Sequence, residues 1–162
     1  MPYGSISIMK SVSTLSLKAM ILFMGALVLF LCIFVLPKGI ATTGWDGYRP
    51  LLLGMYVPAI PFFIGLYQAF NLLRLIDKNK AFSRETLRAL NTIKYCGIAI
   101  GVMYGIGLPY IYRLAQMDDA PGVMMIGIIF TFAPIIIAVF AAVLQKMFQN
   151  TMDIKSENEL TV

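Results

Sequence analysis

Histidine is missing from the chain, cysteine occurs twice, and charged residues make up only 13% of the 162 positions. The absence of histidine removes the side chain that most often acts as general base or metal ligand near neutral pH. Cys32 and Cys96 stand alone, and no cluster of cysteines or carboxylates has metal-ligand spacing. No Ser, Cys and carboxylate arrangement suggests covalent catalysis, and no glycine-rich loop has a phosphate-cradling pattern. The expectation is a protein that is not an enzyme and holds no metal or cofactor.

Scarcity of charge also sets the class. The chain is 59% hydrophobic with a mean hydropathy of +0.81, against roughly 45–50% apolar residues in a soluble domain. Four stretches carry no Asp, Glu, Lys or Arg: between Lys18 and Lys38, Arg49 and Arg74, Lys94 and Arg113, and Asp119 and Lys146. A hydrocarbon core of about 30 Å needs about 20 apolar helical residues. The sequence therefore predicts an all-α integral membrane protein, a single membrane domain over 1–162 with spans at about 18–37, 51–74, 93–113 and 122–145. The first run, Ala19 to Leu36, exceeds the 7–15 residues of a signal-peptide core, and Gly39-Ile40-Ala41 makes a poor cleavage site, so it is expected to stay as a membrane helix.

Intramembrane Asp, Glu, Lys, Arg and His usually mark ion and proton pathways; their absence argues against a proton-coupled transporter. Gln68, Asn71 and Thr131 are the strongly polar residues left in the spans, expected to bond to neighbouring helices or headgroups. Cys32 and Cys96 fall at opposite depths, too far apart for the Cα separation of about 4.4–6.8 Å that a disulfide needs. Pro58, Pro61, Pro109 and Pro134 remove backbone donors and should bend their helices. Gly97, Gly101 and Gly105 form a doubled G-x-x-x-G on one face of the third helix. Such a stripe permits close helix packing, either within the chain or between copies in a homo-oligomer.

Basic flanks resist translocation. With both termini inside, the cytoplasmic segments hold Lys10, Lys18, Arg74, Lys78, Lys80, Arg84, Arg88, Lys94, Lys146 and Lys155, and the exterior holds Lys38, Arg49 and Arg113. Ten against three places both termini in the cytoplasm. Trp45, Tyr48, Tyr110 and Tyr112 then fall near the outer interface, and Tyr67 and Tyr95 near the inner one.

The same orientation makes residues 74–94 a cytoplasmic hairpin. Ser83 has the position of an N-cap with Glu85 in the first turn, and Phe82 and Leu87 have the spacing of a hydrophobic staple. Leu87, Leu90 and Ile93 share one side of the helix and Arg84, Arg88 and Asn91 lie elsewhere, an apolar seam beside a basic surface. That surface suits anionic headgroups of membrane lipids or a docked cytosolic protein; Asp77 and Glu85 interrupt the charge and argue against direct nucleic-acid binding. Leu144, Met147, Phe148 and Met152 carry helical periodicity into a tail, 146–162, so helices two, three and four are expected to extend into the cytoplasm. The tail turns acidic at Glu157 and Glu159 and ends Leu160-Thr161-Val162, a segment that frays or lies on the basic hairpin.

Leu72-Leu73-x-Leu75-Ile76, Ala81-Phe82-Ser83-Arg84-Glu85, Leu87-Arg88-x-Leu90 and the closing Glu157-Asn158-Glu159-Leu160-Thr161-Val162 together resemble the bacterial membrane family catalogued as domain of unknown function 2975. The resemblance covers essentially the whole chain. In that family a Gly and a Pro precede the Phe-Ser pair, where this chain has Asn79 and Ala81. The resemblance implies no catalytic residues, and a genetic setting often shared with a small helix-turn-helix transcription regulator. The expected function is a plasma-membrane regulatory or binding module that tethers such a regulator. Partner-binding residues would be Lys78, Lys80, Phe82, Arg84, Arg88, Glu157, Glu159, Leu160 and Val162, with Gly97, Gly101 and Gly105 setting the helix packing. The alternative is a small oligomeric transporter or channel component for a neutral or lipid-like substrate.

Overall fold

The computed structural model of the chain describes residues 3–44 and 47–160, with side chains described over 12–44 and 47–159. Among the described residues there are helices and turns and no strand. Four helical segments are long and apolar enough to cross a membrane. Hydrocarbon offers no water to a bare peptide group, so each apolar run satisfies its backbone internally as helix.

The first span is α1 (Tyr3–Phe30), a π turn (Leu31–Val35) and α2 (Leu36–Thr42). Pro37 explains the wide turn. Its ring clashes with the carbonyl four residues back and it has no N–H; in the π turn the Leu36 N–H donates to the Leu31 carbonyl instead. At that five-residue spacing the donor due to the Cys32 carbonyl would be Pro37, which has no N–H to give. The Tyr56 hydroxyl, from the second span, donates to that carbonyl at 2.9 Å.

The second span is α3 (Arg49–Gly54) and α4 (Tyr56–Asp77), divided at Met55. Pro58 is the cause, since its nitrogen cannot donate to the Gly54 carbonyl. Pro61, Pro109 and Pro134 lie inside unbroken helices. Of the four prolines expected to bend the chain, only Pro58 therefore stands beside an interruption, and Pro37 adds a second.

The third span is α5 (Arg84–Met117) and the fourth α6 (Pro121–Leu160), of 34 and 40 residues. At 1.5 Å per residue they are about 51 and 60 Å long, so both project well beyond a core of about 30 Å. The acidic tail stays helical to Leu160 instead of fraying; Thr161 and Val162 lie outside the described residues. The first helix also begins well before Lys18, an extension not foreseen, whereas α4 stops three residues after Arg74.

The helices pack in the order α1, α4, α5, α6, with α5 and α6 the closest pair and α1 resting on α4. Small residues explain the closeness. A Cβ on Gly97 would lie 2.6 Å from the Pro134 carbonyl oxygen and 3.0 Å from the Ala138 Cβ, and one on Gly101 would lie 2.4 Å from Ile135 Cγ1. From the other side, a Cβ on Gly127 would meet Ile111 at 3.0 Å. Thr131 is buried in this interface and donates to the Gly127 carbonyl of its own helix at 2.8 Å, not to a neighbour as its polarity suggested. Cys32 and Cys96 are free.

Cross-links mark the two ends of the bundle. At one end Tyr110 donates to the Gly47 carbonyl at 2.7 Å and the Tyr48 hydroxyl donates to Asp118. At the other Lys18 forms an ion pair with Asp77, and Lys94 donates to Gln145 at 3.4 Å. Tyr67 and Tyr95 are largely exposed; Trp45 lies outside the described residues.

Candidate partner-binding site on the hairpin

The hairpin is built from two caps. At the end of α4 the N–H of Asn79 donates to the Ile76 carbonyl at 3.0 Å and that of Lys80 to the Leu75 carbonyl at 2.9 Å. These are the paired bonds of a Schellman motif, which requires a left-handed residue at its corner. Asn79 supplies it with φ 56°. Asparagine is the commonest substitute for glycine there, because its short amide tolerates the conformation, so Asn79 can fill the place where the family resemblance implied glycine.

At the start of α5 Ser83 is extended (φ −127°, ψ 158°) and its hydroxyl accepts from the Thr86 N–H at 3.3 Å. Thr86 is fully buried, lies 3.2 Å from the Ser83 hydroxyl and donates to the Lys80 carbonyl at 3.3 Å. One threonine thus joins the cap of α5 to the exit from α4. Sequence reasoning passed over it, although Thr three residues after an N-cap Ser is itself a local signal. The seam forms as expected: Leu90 is buried, with Leu87 and Ile93 half-buried.

Lys78, Lys80, Arg84 and Arg88 are all exposed on this frame, and among the described residues none forms an ion pair. Phe82 is 53% exposed; its ring meets Phe148 of α6 edge to face, with centroids 5.2 Å apart. The hairpin is therefore braced against the fourth helix as well as capped at both sides.

These five residues share the hairpin, while the tail is carried onward. Glu157 and Glu159 are exposed on α6, nine and eleven residues past Phe148, which is about 14 and 16 Å along the axis. Leu160 ends the helix, and Val162 lies outside the described residues. Gly97 and Gly101 face α6 at close range, whereas a Cβ on Gly105 would be in ordinary contact, 3.7 Å from Thr131. Among the described residues no group of three His, Cys, Asp or Glu is placed to hold a metal.

The profile of a family described as "Protein of unknown function (DUF2975)" matches residues 11–162. An uncharacterized membrane protein of Bacillus subtilis (strain 168), YoaS, is 47% identical over 161 residues, covering 95% of this chain and 100% of the relative. No solved structure matches.

Proposed function

From the premise that the chain belongs to this membrane family of unknown function, we propose that it is a bacterial plasma-membrane binding module whose hairpin end faces the cytoplasm and tethers a small helix-turn-helix transcription regulator. The observation that carries this reading is the hairpin tip. Lys78, Lys80, Arg84 and Arg88 are exposed on the same short hairpin as a half-exposed Phe82, on a frame held by two caps and by Phe148. An exposed aromatic in the company of arginines and lysines is the composition of a protein-binding hot spot. Its rigidity lowers the ordering entropy lost on binding.

The orientation rests on the ten-to-three distribution of basic residues. Control of the partner would come through α5 and α6. A shift along Gly97 and Gly101 would move Phe82 relative to Phe148 and so reshape the tip. The chain should be tagged and purified from its native membranes in mild detergent, and co-eluting proteins identified by mass spectrometry. The expected result is a small DNA-binding protein that is lost with Arg84→Ala/Arg88→Ala. Recovery of an ATPase or a second permease subunit instead would favour transport, the reading that the proline-interrupted spans beside Pro37 and Pro58 support.

A further inference from the structure

Two interhelical grooves reach the hairpin end of the bundle, and their electrostatics differ. Between α1 and α4 the ammonium of Lys18 is neutralised by Asp77. Between α5 and α6 Lys94 is half-buried and donates to the neutral amide of Gln145 at 3.4 Å, with its Nζ 4.9 Å from the centre of the Tyr95 ring. Among the described residues no carboxylate lies within ion-pair distance of Lys94. The next residue after Gln145 is Lys146, which is exposed.

Depth decides what this groove meets. The apolar run of α5 begins at Tyr95, directly after Lys94, and that of α6 ends at Leu144, directly before Gln145. Lys94, Gln145 and Lys146 therefore stand where acyl chains give way to headgroups, and Tyr95, 60% exposed, stands beside them as an interfacial aromatic. Arg88 and Arg84 are six and ten residues nearer the tip, about 9 and 15 Å farther along the axis. A phosphate at headgroup depth lies level with the two lysines and not with the hairpin tip.

We propose that the α5/α6 groove holds the phosphate of one anionic phospholipid from the adjoining leaflet, between Lys94 and Lys146, with Gln145 and Tyr95 lining the site. Two ammonium groups supply the charge, the glutamine amide a further donor, and the exposed apolar faces of α5 and α6 below them a track for the acyl chains. The proposal divides the charge of the hairpin end in two: Lys94 and Lys146 bind the bilayer, while Lys78, Lys80, Arg84 and Arg88 remain for a partner. It stands independently of the regulator reading.

The test is native mass spectrometry of the full chain taken from bilayers of phosphatidylcholine and phosphatidylglycerol. The wild type should retain one phosphatidylglycerol in preference to phosphatidylcholine. Lys94→Gln/Lys146→Gln should reduce that population roughly tenfold or more, and Lys94→Arg/Lys146→Arg should keep it, which separates lost charge from lost folding. Arg84→Gln/Arg88→Gln should leave it unchanged, and millimolar inorganic phosphate should not displace it. Equal retention in the glutamine variant, equal retention of phosphatidylcholine, or loss only in the tip variant would overturn the proposal. Displacement by inorganic phosphate would do so too, by making the groove a free-anion site.

Discussion

Helices α5 and α6 meet backbone to backbone, whereas α1 meets the bundle through side chains. Gly97 lies against the Pro134 carbonyl and the backbone nitrogen of Ala138. The nearest approach to Gly25 on α1 is the terminal Cδ2 of Leu66, at 2.7 Å from where a Cβ would stand. Lipid is as apolar as leucine, so burial alone drives no association of helices, and close contact and hydrogen bonds must hold them. A small-residue interface thus binds α5 to α6 tightly. The strongly apolar first span leaves most of its surface exposed, and its contacts to the second span include the Lys18–Asp77 ion pair and the Tyr56 hydrogen bond to Cys32.

That difference is open to direct attack. Gly101→Leu should cost the most, about 3 kcal/mol or more, because Ile135 and the Thr131 carbonyl already fill the space. Gly97→Ala should follow at about 1–3 kcal/mol, since the atom in the way is backbone. Gly25→Ala presses only on the end of a flexible leucine and should cost under about 1 kcal/mol. Gly107→Ala, with nothing within 4 Å, should stabilise its helix by about 0.5–1 kcal/mol. Unfolding in mixed micelles would rank the four, and equal losses for Gly97→Ala and Gly25→Ala would erase the distinction between the two interfaces.

The hydrogen bond from Tyr56 of the second span to the Cys32 carbonyl of the first gives a sharper probe. Tyr56→Phe should cost about 0.6–2 kcal/mol by leaving the Cys32 carbonyl bare. In a Pro37→Ala background an N–H returns to that carbonyl or to its neighbour, and the cost should largely vanish. Additive losses in the double-mutant cycle would rule out Pro37 as the origin of the π turn.

Smaller effects are expected outside the bilayer. Ser83→Ala should lose about 1 kcal/mol of helix capping and loosen the hairpin to hydrogen exchange near Thr86. Asn79→Gly should gain up to about 0.5 kcal/mol by relieving its left-handed backbone. The smallest effect belongs to Tyr48, whose pKa is raised above 10.0 by its hydrogen bond to Asp118, then by partial burial, then by the charge of Asp118. Because the folded value is the higher one, the stabilisation is complete below pH 10 and is lost as pH rises through the raised pKa. In a tyrosinate absorbance titration Tyr48→Phe should remove a late-titrating component, and an unchanged curve would dissolve this contact.

Much of the hairpin was legible because its causes are local. Ser83 caps the turn that its spacing implied, Leu90 buries on the expected side, and the chain reverses between Asp77 and Arg84. Thr86 and Phe148 were harder to assign. The Thr86 signal is local but weak, whereas the edge-to-face contact of Phe82 with a residue 66 positions away depends on where α6 passes, which no local window contains. Which prolines interrupt a helix was not legible for a related reason. Proline perturbs the ladder wherever it falls, but whether the helix breaks depends on what can serve the freed carbonyl, and Tyr56 reaches Cys32 only across the interhelical gap.

The residues by themselves determined the class: four uncharged runs long enough to cross hydrocarbon, joined by short charged segments, have no satisfactory form except membrane helices. They also pointed to the family, through motifs in the hairpin region and at the closing segment, and the family profile matches residues 11–162. Tertiary structure decided which glycines touch backbone, which lysine at the membrane boundary meets a carboxylate and which meets only an amide, and where Phe82 comes to rest. Those outcomes depend on the register between helices distant in sequence, and in a bilayer that register is set by the fit of facing surfaces.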